Sequence, residues 1–516
     1  MNKKLTYIIL SLLCVCATNN LGAKTTAVKF KNNEKWWGFY VNDSPSQPFM
    51  QPFSETTNQY KEGGGFTKAV MLSSEGRYMW CADEAQVRFT GDSLVVKSAS
   101  EVKINKGGRN LREAFLVCCH KNFPPSNKLP SSELITSIVY ETSSELGFEQ
   151  DQQSLLAYAK RLKEEGYPTG VIVLGNGWRN LSGSCDFNKQ LYPDAKAMVE
   201  TLHKMGFKLM LTYTPLITPV GVDYMNLRDK NLLLKNKRGT VQIVRNDAGY
   251  QACVNIALSE ASSMLKSEVD YLRDMYNIDG FRYDASAVLP FLNNTGAKDA
   301  FMREWLSFGK SDRVKEYMPG LMDKFMVHVN CFEDNTPISY KTLNARINNL
   351  ISSALCGYGY THSLISKSVA EAAYEDELLM AYYLQLAAFM PVCSVDFAPW
   401  RVEDEKLRER IKQMYTIRSS ISEFLNKALD GLGASSEPII RNMEYQFPRL
   451  GYSDCINQFM FIDKYMVVLP EQNSSKTLVR FPRGVWKSAK GEIIKGPIVK
   501  SISAEKGQIL YFELTN

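Results

Sequence analysis

The chain has 516 residues, 45% of them hydrophobic and 22% charged, the balance of an ordinary globular protein and too much chain for one core, so roughly two to four domains are expected. Its formal net charge of +6 is spread without a long basic run, which excludes the concentrated basic stripe of a nucleic-acid-binding surface. Four scattered histidines (His120, His203, His328 and His362) and cysteines without CxxC spacing point to neither a metal centre nor a disulfide framework, and no cofactor is expected.

At the N-terminus, Met1-Asn2-Lys3-Lys4 is a short basic segment before an apolar run from Leu5 to Ala17, and Leu21-Gly22-Ala23 offers a small-residue cleavage site. This is the pattern of a signal peptide over residues 1–23, and the run is too short for a good membrane span. The expectation is an exported protein, periplasmic or extracellular, with no integral membrane segment in the mature chain. Cys14 and Cys16 raise a lipid anchor as the alternative, but Leu13 and Val15 before them are not small residues.

Residues 24–130 are dense in short extended runs and turns. Gln86-Val-Arg-Phe-Thr90, a turn at Gly91-Asp92 and Ser93-Leu-Val-Val-Lys97 are one example, and the alternation reads as an N-terminal antiparallel β-domain. Phe123-Pro-Pro-Ser-Asn-Lys-Leu-Pro130 reads as a linker.

Over 131–425 the rhythm becomes strand, helix, strand. Ser137-Ile-Val-Tyr-Glu-Thr142 is followed by a helix from Gln152 with Leu155, Ala159 and Leu162 on one face, ended by Gly166 and Pro168. Gly170-Val-Ile-Val-Leu174, a helix opened by Pro193 and closed by Gly206, and Lys208-Leu-Met-Leu-Thr-Tyr213 come next. A helix over Ser259–Tyr276 leads into Gly280-Phe-Arg-Tyr-Asp284. Further strands are expected over Phe325–Asn330, Gly357–Tyr360 and Pro391–Val395. That makes seven strands, the eighth being hidden in a compressed stretch over 285–335. Near-continuous apolar strands alternating with amphipathic helices require a parallel sheet covered by helices. Polar residues gather at one strand end after another, which favours a (β/α)8 TIM barrel over an open sheet. After about 425 the strands return, and 426–516 reads as a small C-terminal β-sandwich.

Asp284 is the sharpest candidate for chemistry, a carboxylate at a strand end where barrel enzymes build their sites. Arg282, two residues earlier on the same strand face, is expected to keep it ionised, as a nucleophile requires; the plainer reading is an aspartate capping the next helix. Trp178, Tyr213, Tyr283, Tyr360, His362 and Trp400 lie near expected strand ends, where they would line a substrate pocket or simply pack in the core.

Asp279-Gly-Phe-Arg-Tyr-Asp284 resembles the nucleophile strand of glycoside hydrolase family 31. Trp178, Asp186-Phe187, Tyr192-Pro-Asp-Ala-Lys-Ala-Met-Val, Ala398-Pro-Trp-Arg-Val and Glu437-Pro-Ile-Ile-Arg-Asn follow in the family's order. The resemblance spans about 135–515. It implies a retaining α-glycosidase acting on an α-linked sugar, with Asp284 as nucleophile and a second carboxylate about 5–5.5 Å away as acid/base. Asp334 fits that acid/base best, with Glu333 as the runner-up. The family's Leu-Asp-Asp-x-Trp pattern becomes Leu174-Gly175-Asn176-Gly177-Trp178, leaving only Asn176 to bond a sugar hydroxyl there, and a later aspartate is replaced in Thr361-His362-Ser363-Leu364. The alternative reading is therefore a catalytically impaired member that binds carbohydrate.

Overall fold

The computed structural model describes residues 24–38, 47–50, 59–60, 70–83, 85–90, 92–124, 130–147, 150–179, 185–246, 249–292, 295–318, 327–331, 339–364, 374–435, 437–471 and 474–515. The leader, most of the linker, and Glu333 and Asp334 lie outside these residues.

The N-terminal strands are β1 (Lys24–Lys29), β2 (Trp36–Gly38), β3 (Gln59–Tyr60), β4 (Val70–Ser73), β5 (Arg77–Trp80), β6 (Ala85–Thr90), β7 (Ser93–Ser98) and β8 (Lys103–Lys106). They form two four-stranded antiparallel sheets, ordered β1-β7-β6-β3 and β2-β4-β5-β8. Residues alternate between faces along a strand, so Val28, Trp36, Met71, Met79, Phe89 and Leu94 from both sheets share one core. Val70, Leu72 and Tyr78 join the larger core instead, together with helix α1 (Leu111–Asn122).

The middle of the chain runs α2 (Ser132–Thr136), β9 (Ile138–Glu141), α3 (Ser143–Leu146), α4 (Gln152–Glu164), β10 (Gly170–Leu174), α5 (Ala195–Met205) and β11 (Lys208–Tyr213). An insertion of β12 (Leu216–Ile217), α6 (Val222–Asp229), β13 (Ile243–Asn246) and β14 (Gly249–Cys253) precedes α7 (Ser259–Tyr276) and β15 (Gly280–Asp284). Then come α8 (Thr295–Trp305), β16 (Val314–Met318), β17 (Val327–Cys331), α9 (Tyr340–Leu355), β18 (Thr361–Leu364), α10 (Glu377–Ala387), β19 (Cys393–Val395), α11 (Glu405–Ser420) and α12 (Ser422–Ser435).

Local chemistry sets these helices. Asp151 caps α4 by accepting from the Ser154 amide at 2.7 Å, and Leu155, Ala159 and Leu162 are buried along one face. Asp194 caps α5 through the Ala197 amide at 3.0 Å, and Gly206 ends it in the left-handed conformation at φ 92°.

The eight strands pair in the order β18-β17-β16-β15-β11-β10-β9-β19, every ladder parallel. The end strands β18 and β19 lie beside one another, which brings the sheet round into a barrel. The eighth strand is β16, in the stretch read as compressed. The expected strand over Gly357–Tyr360 is corrected: the chain turns there, with Gly357 at φ 97°, and the strand is Thr361–Leu364. Arg418 of α11 is fully buried and has no carboxylate partner among the described residues; it donates to the carbonyls of Ala388 at 3.0 Å, Met390 at 2.7 Å and Pro391 at 3.0 Å, and to that of Ile135. It thereby ties the end of α10 to the approach of β9.

At the C-terminus, β20 (Ile440–Asn442), helix α13 (Met443–Gln446), β21 (Gln458–Phe461), β22 (Tyr465–Val468), β23 (Lys476–Ser488), β24 (Ile493–Ser503) and β25 (Leu510–Leu514) follow. Where a two-sheet sandwich was expected, the described strands form one antiparallel sheet in the order β20-β21-β22-β25-β23-β24, with a register shift between Phe481 and Gly484. One face carries its own core of Met460, Met466, Phe481, Trp486 and Phe512, while Phe459, Phe461 and Val467 pack into the main core. Among the described residues, no helix is long and apolar enough to cross a membrane.

Candidate active site

The register of the central strands fixes which side chains enter the barrel. Thr212 of β11 aligns with Arg282 of β15 and Arg282 with Glu316 of β16, and residues in register on a parallel sheet share a face. Two positions further along β15, Asp284 faces the same way at the C-terminal end of the strand, where the following loop begins.

Arg282, Glu141 and Glu316 are 2%, 1% and 0% exposed. Arg282 Nε donates to Glu316 Oε2 at 2.8 Å and Nη1 to Glu141 Oε2 at 2.8 Å, while Nη2 bonds the other oxygen of Glu141 and lies 2.6 Å from Glu316 Oε2. His362 Nε2 of β18 lies 3.2 Å from Glu316 Oε1, and Ser394 Oγ after the start of β19 donates to Glu141 Oε1 at 3.4 Å. Burial works against the guanidinium charge, but Glu141 and then Glu316 raise the Arg282 pKa above its ordinary value. Burial likewise opposes the Glu316 charge, and Arg282 followed by His362 pulls that carboxyl below the usual range. Glu141, Glu316 and His362 each bring one ligand atom within 4.8 Å of the others. The guanidinium of Arg282 already occupies that acceptor set, so the layer is an ion network.

Asp284 stands one level above this layer and is 9% exposed. Its Oδ1 accepts from the Ser286 amide at 2.8 Å and from Ser286 Oγ at 2.6 Å. Among the described residues, Oδ2 accepts no hydrogen bond. Burial raises the Asp284 pKa; the Ser286 hydroxyl, the Ser286 amide and the more distant Arg282 charge offset this only in part. The Arg282 charge acts on Asp284 in the expected direction, but its guanidinium is engaged by the two glutamates, and its pull is weaker than that of the Ser286 bonds and does not outweigh burial. One carboxylate oxygen is thus oriented and the other is left open, an arrangement suited to nucleophilic attack.

The other predicted residues divide by strand face. His362 joins the ion layer. Tyr213 and Tyr283 alternate with Thr212 and Arg282 and so point outward: Tyr213 donates to Glu268 at 2.6 Å and stacks on Trp305, while Tyr283 donates to Asp312 at 2.7 Å among Trp305, Phe308 and Tyr317. Trp178 is buried against Phe187, and its Nε1 donates to the Thr212 carbonyl at 2.8 Å, pinning the loop after β10 to β11. Tyr360 precedes β18 and is buried at the opposite end of the barrel. Trp400 packs on Tyr158 of α4 with Arg161 above its ring at 4.4 Å, outside the barrel. Asn176 is exposed after β10. A Cβ on neighbouring Gly175 would sit 1.9 Å from Ser143 Oγ, so no side chain fits there while Ser143 keeps its place. Glu141 and Glu316 are residues the sequence reading passed over. A lone carboxylate in an otherwise apolar strand, as in Ile138-Val-Tyr-Glu141, was the available signal.

A parallel barrel with an oriented carboxylate at the C-terminal end of a central strand has a polar group where barrel enzymes build their sites. Residues 140–336 match the family model "Glycosyl hydrolases family 31 TIM-barrel domain". That segment of the barrel is similar to glycoside hydrolase family 31. A curated relative, the mouse (Mus musculus) myogenesis-regulating glycosidase, is 21% identical over 433 residues, 78% of this chain; the chain spans 60% of that relative's length. Among solved structures, a GH31 dextranase of Flavobacterium johnsoniae complexed with isomaltotriose superposes with a TM-score of 0.78 at 14% identity, covering 96% of this chain and 67% of that one. A GH31 α-xylosidase from a soil metagenome, complexed with xylose, gives 0.76 at 14% identity, covering 96% and 79%. At these identities the likeness is one of fold.

Proposed function

We propose that the chain is an exported α-glycoside hydrolase that acts with retention on an α-linked oligosaccharide or glycoside. The observation that carries this reading is Asp284: buried at a strand end inside a barrel whose residues 140–336 match the family 31 model, with Oδ1 held by Ser286 and Oδ2 accepting no hydrogen bond from the described residues. In the proposed reaction Oδ2 attacks the anomeric carbon while an acid/base, Asp334 or else Glu333, protonates the departing glycosidic oxygen. The same acid/base then takes a proton from water, which displaces the Asp284 carboxylate and releases the sugar with its configuration retained.

Gly175 supports a second reading. Gly175 puts no side chain where the family 31 pattern has a sugar-gripping carboxylate, and each such missing group removes a charge-assisted bond to a hydroxyl. A carbohydrate-binding protein without turnover would keep the scaffold and lose the chemistry. The purified protein, assayed with aryl α-glucoside, α-galactoside and α-xyloside, is expected to turn over at least one, with Asp284→Ala abolishing the activity and NMR of the first-formed product showing retention. Saturable sugar binding by calorimetry with no product at high protein concentration would replace the first reading with the second.

A further inference from the structure

Arg282 and Asp284 face the same way on one strand, only about 6.6 Å apart along it at the usual rise per residue. A guanidinium has the reach to form a bidentate pair with a carboxylate at that spacing, yet here it does not. Each of its three nitrogens is taken by a glutamate: Nε by Glu316, Nη1 by Glu141, and Nη2 by both. Those glutamates come from opposite sides, β9 across the barrel and β16 alongside, so the side chain is held flat in the layer beneath the nucleophile.

We propose that Glu141 and Glu316 are positioning residues that withhold Arg282 from Asp284, so that the nucleophile meets its substrate as an unpaired carboxylate. This rests on the reading of Asp284 as the nucleophile. The chemistry is direct. A carboxylate in a bidentate pair with arginine has both oxygens engaged and is a weaker base, and nucleophilicity falls with basicity. Clamping the guanidinium one level below, in a layer where two carboxylates outweigh its charge, leaves Asp284 an Oδ2 that accepts no hydrogen bond from the described residues. Among the described residues, the charged and titratable groups facing this centre from the packed strands are Arg282 on β15, Glu141 on β9, Glu316 on β16 and His362 on β18.

The test titrates the Asp284 carboxyl directly in the full chain, by its side-chain 13C shift, assigned through its loss in Asp284→Asn. In Glu141→Gln and Glu316→Gln the freed guanidinium should turn to Asp284, lowering its titration midpoint by about one to three units. On an aryl α-glycoside, kcat should fall roughly ten-fold or more with KM little changed, as expected for loss in the chemical step. A brace with no other role would alter melting but leave that midpoint in place. The triple variant Arg282→Met/Glu141→Gln/Glu316→Gln removes clamp and guanidinium together, and its midpoint should return to the wild-type value or rise above it; it also serves if the single variants do not fold. Unchanged or raised midpoints in the single variants, or a triple variant shifted as far as they are, would overturn the proposal. Absence of turnover by the wild-type protein would count against the enzymatic reading alone, because the carboxyl titration reports on the clamp without any substrate.

Discussion

Replacing Asp284 by asparagine should make the protein more stable at neutral pH while ending catalysis. The side chain is 9% exposed, and burial lifts its carboxyl above the ordinary 3.8 despite two bonds from Ser286 and the charge of Arg282. Below the unfolded value the group is protonated in both states and adds nothing to the comparison with asparagine. As pH rises through the higher folded value, the folded state must carry a charge that the unfolded chain carries more easily, so stability declines across that window and then levels off. Asparagine never carries the charge and can still accept the Ser286 bonds through its amide oxygen. The gain amounts to about 1.4 kcal/mol for each unit by which the folded value exceeds the unfolded one, and it should be fully developed by pH 7–8. Calorimetric melts of wild type and Asp284→Asn from pH 4 to pH 8 give the check. The difference should be near zero at the acid end, grow with pH and reach a plateau. A variant that melts lower at pH 7, or a difference independent of pH, would refute the claim that the barrel holds this carboxylate against its own stability.

Gly175→Ala places a Cβ 1.9 Å from Ser143 Oγ, the end of an exposed side chain that can rotate away, so it should cost no more than about 1 kcal/mol in urea melts; a loss of about 3 kcal/mol would show that Ser143 cannot turn. Arg418→Met strips the carbonyls of Ala388, Met390, Pro391 and Ile135 of a shared buried donor. A cost of about 3–5 kcal/mol in chemical denaturation is expected, and a loss below about 1 kcal/mol would show that those carbonyls find other partners.

The barrel was legible where strands carry apolar residues on both faces, as in Gly170–Leu174 and Lys208–Tyr213, and where caps are written plainly, as at Asp151 and Asp194. It was illegible at β16. Val314-Lys-Glu-Tyr-Met318 places a glutamate inside the barrel, and only Arg282 and His362, 34 and 46 residues away in the chain, make that burial tolerable. Gly357-Tyr-Gly-Tyr360 misled in the opposite sense: its aromatic alternation suits a strand, but Gly357 takes a left-handed turn. Of the site, Asp284 could be found from its place at a strand end, and the role of Arg282 could not. Its partner Glu141 is 141 residues upstream, a distance over which no local pattern reports. Tyr213 and Tyr283 show the limit of reasoning from strand ends alone. Proximity to the rim says nothing of face, and one step along a strand sends the ring into the helical layer.

Two glutamates and an arginine in a barrel interior are an expensive filling: well-packed apolar side chains of the same volume are often as stable or more so, because each ion has to be desolvated. A scaffold that only bound sugar would gain from polar groups turned toward hydroxyls. Arg282, Glu141 and Glu316 are instead sealed at 2%, 1% and 0% exposure, and their bonds run to one another. What they act on is the level above, where Asp284 holds a raised pKa with one oxygen open. A network that gives up stability and offers no surface to a ligand fits the proposal that Asp284 is a nucleophile above a fixed ionic layer, and this favours chemistry over binding alone even though Gly175 and Asn176, not carboxylates, follow β10.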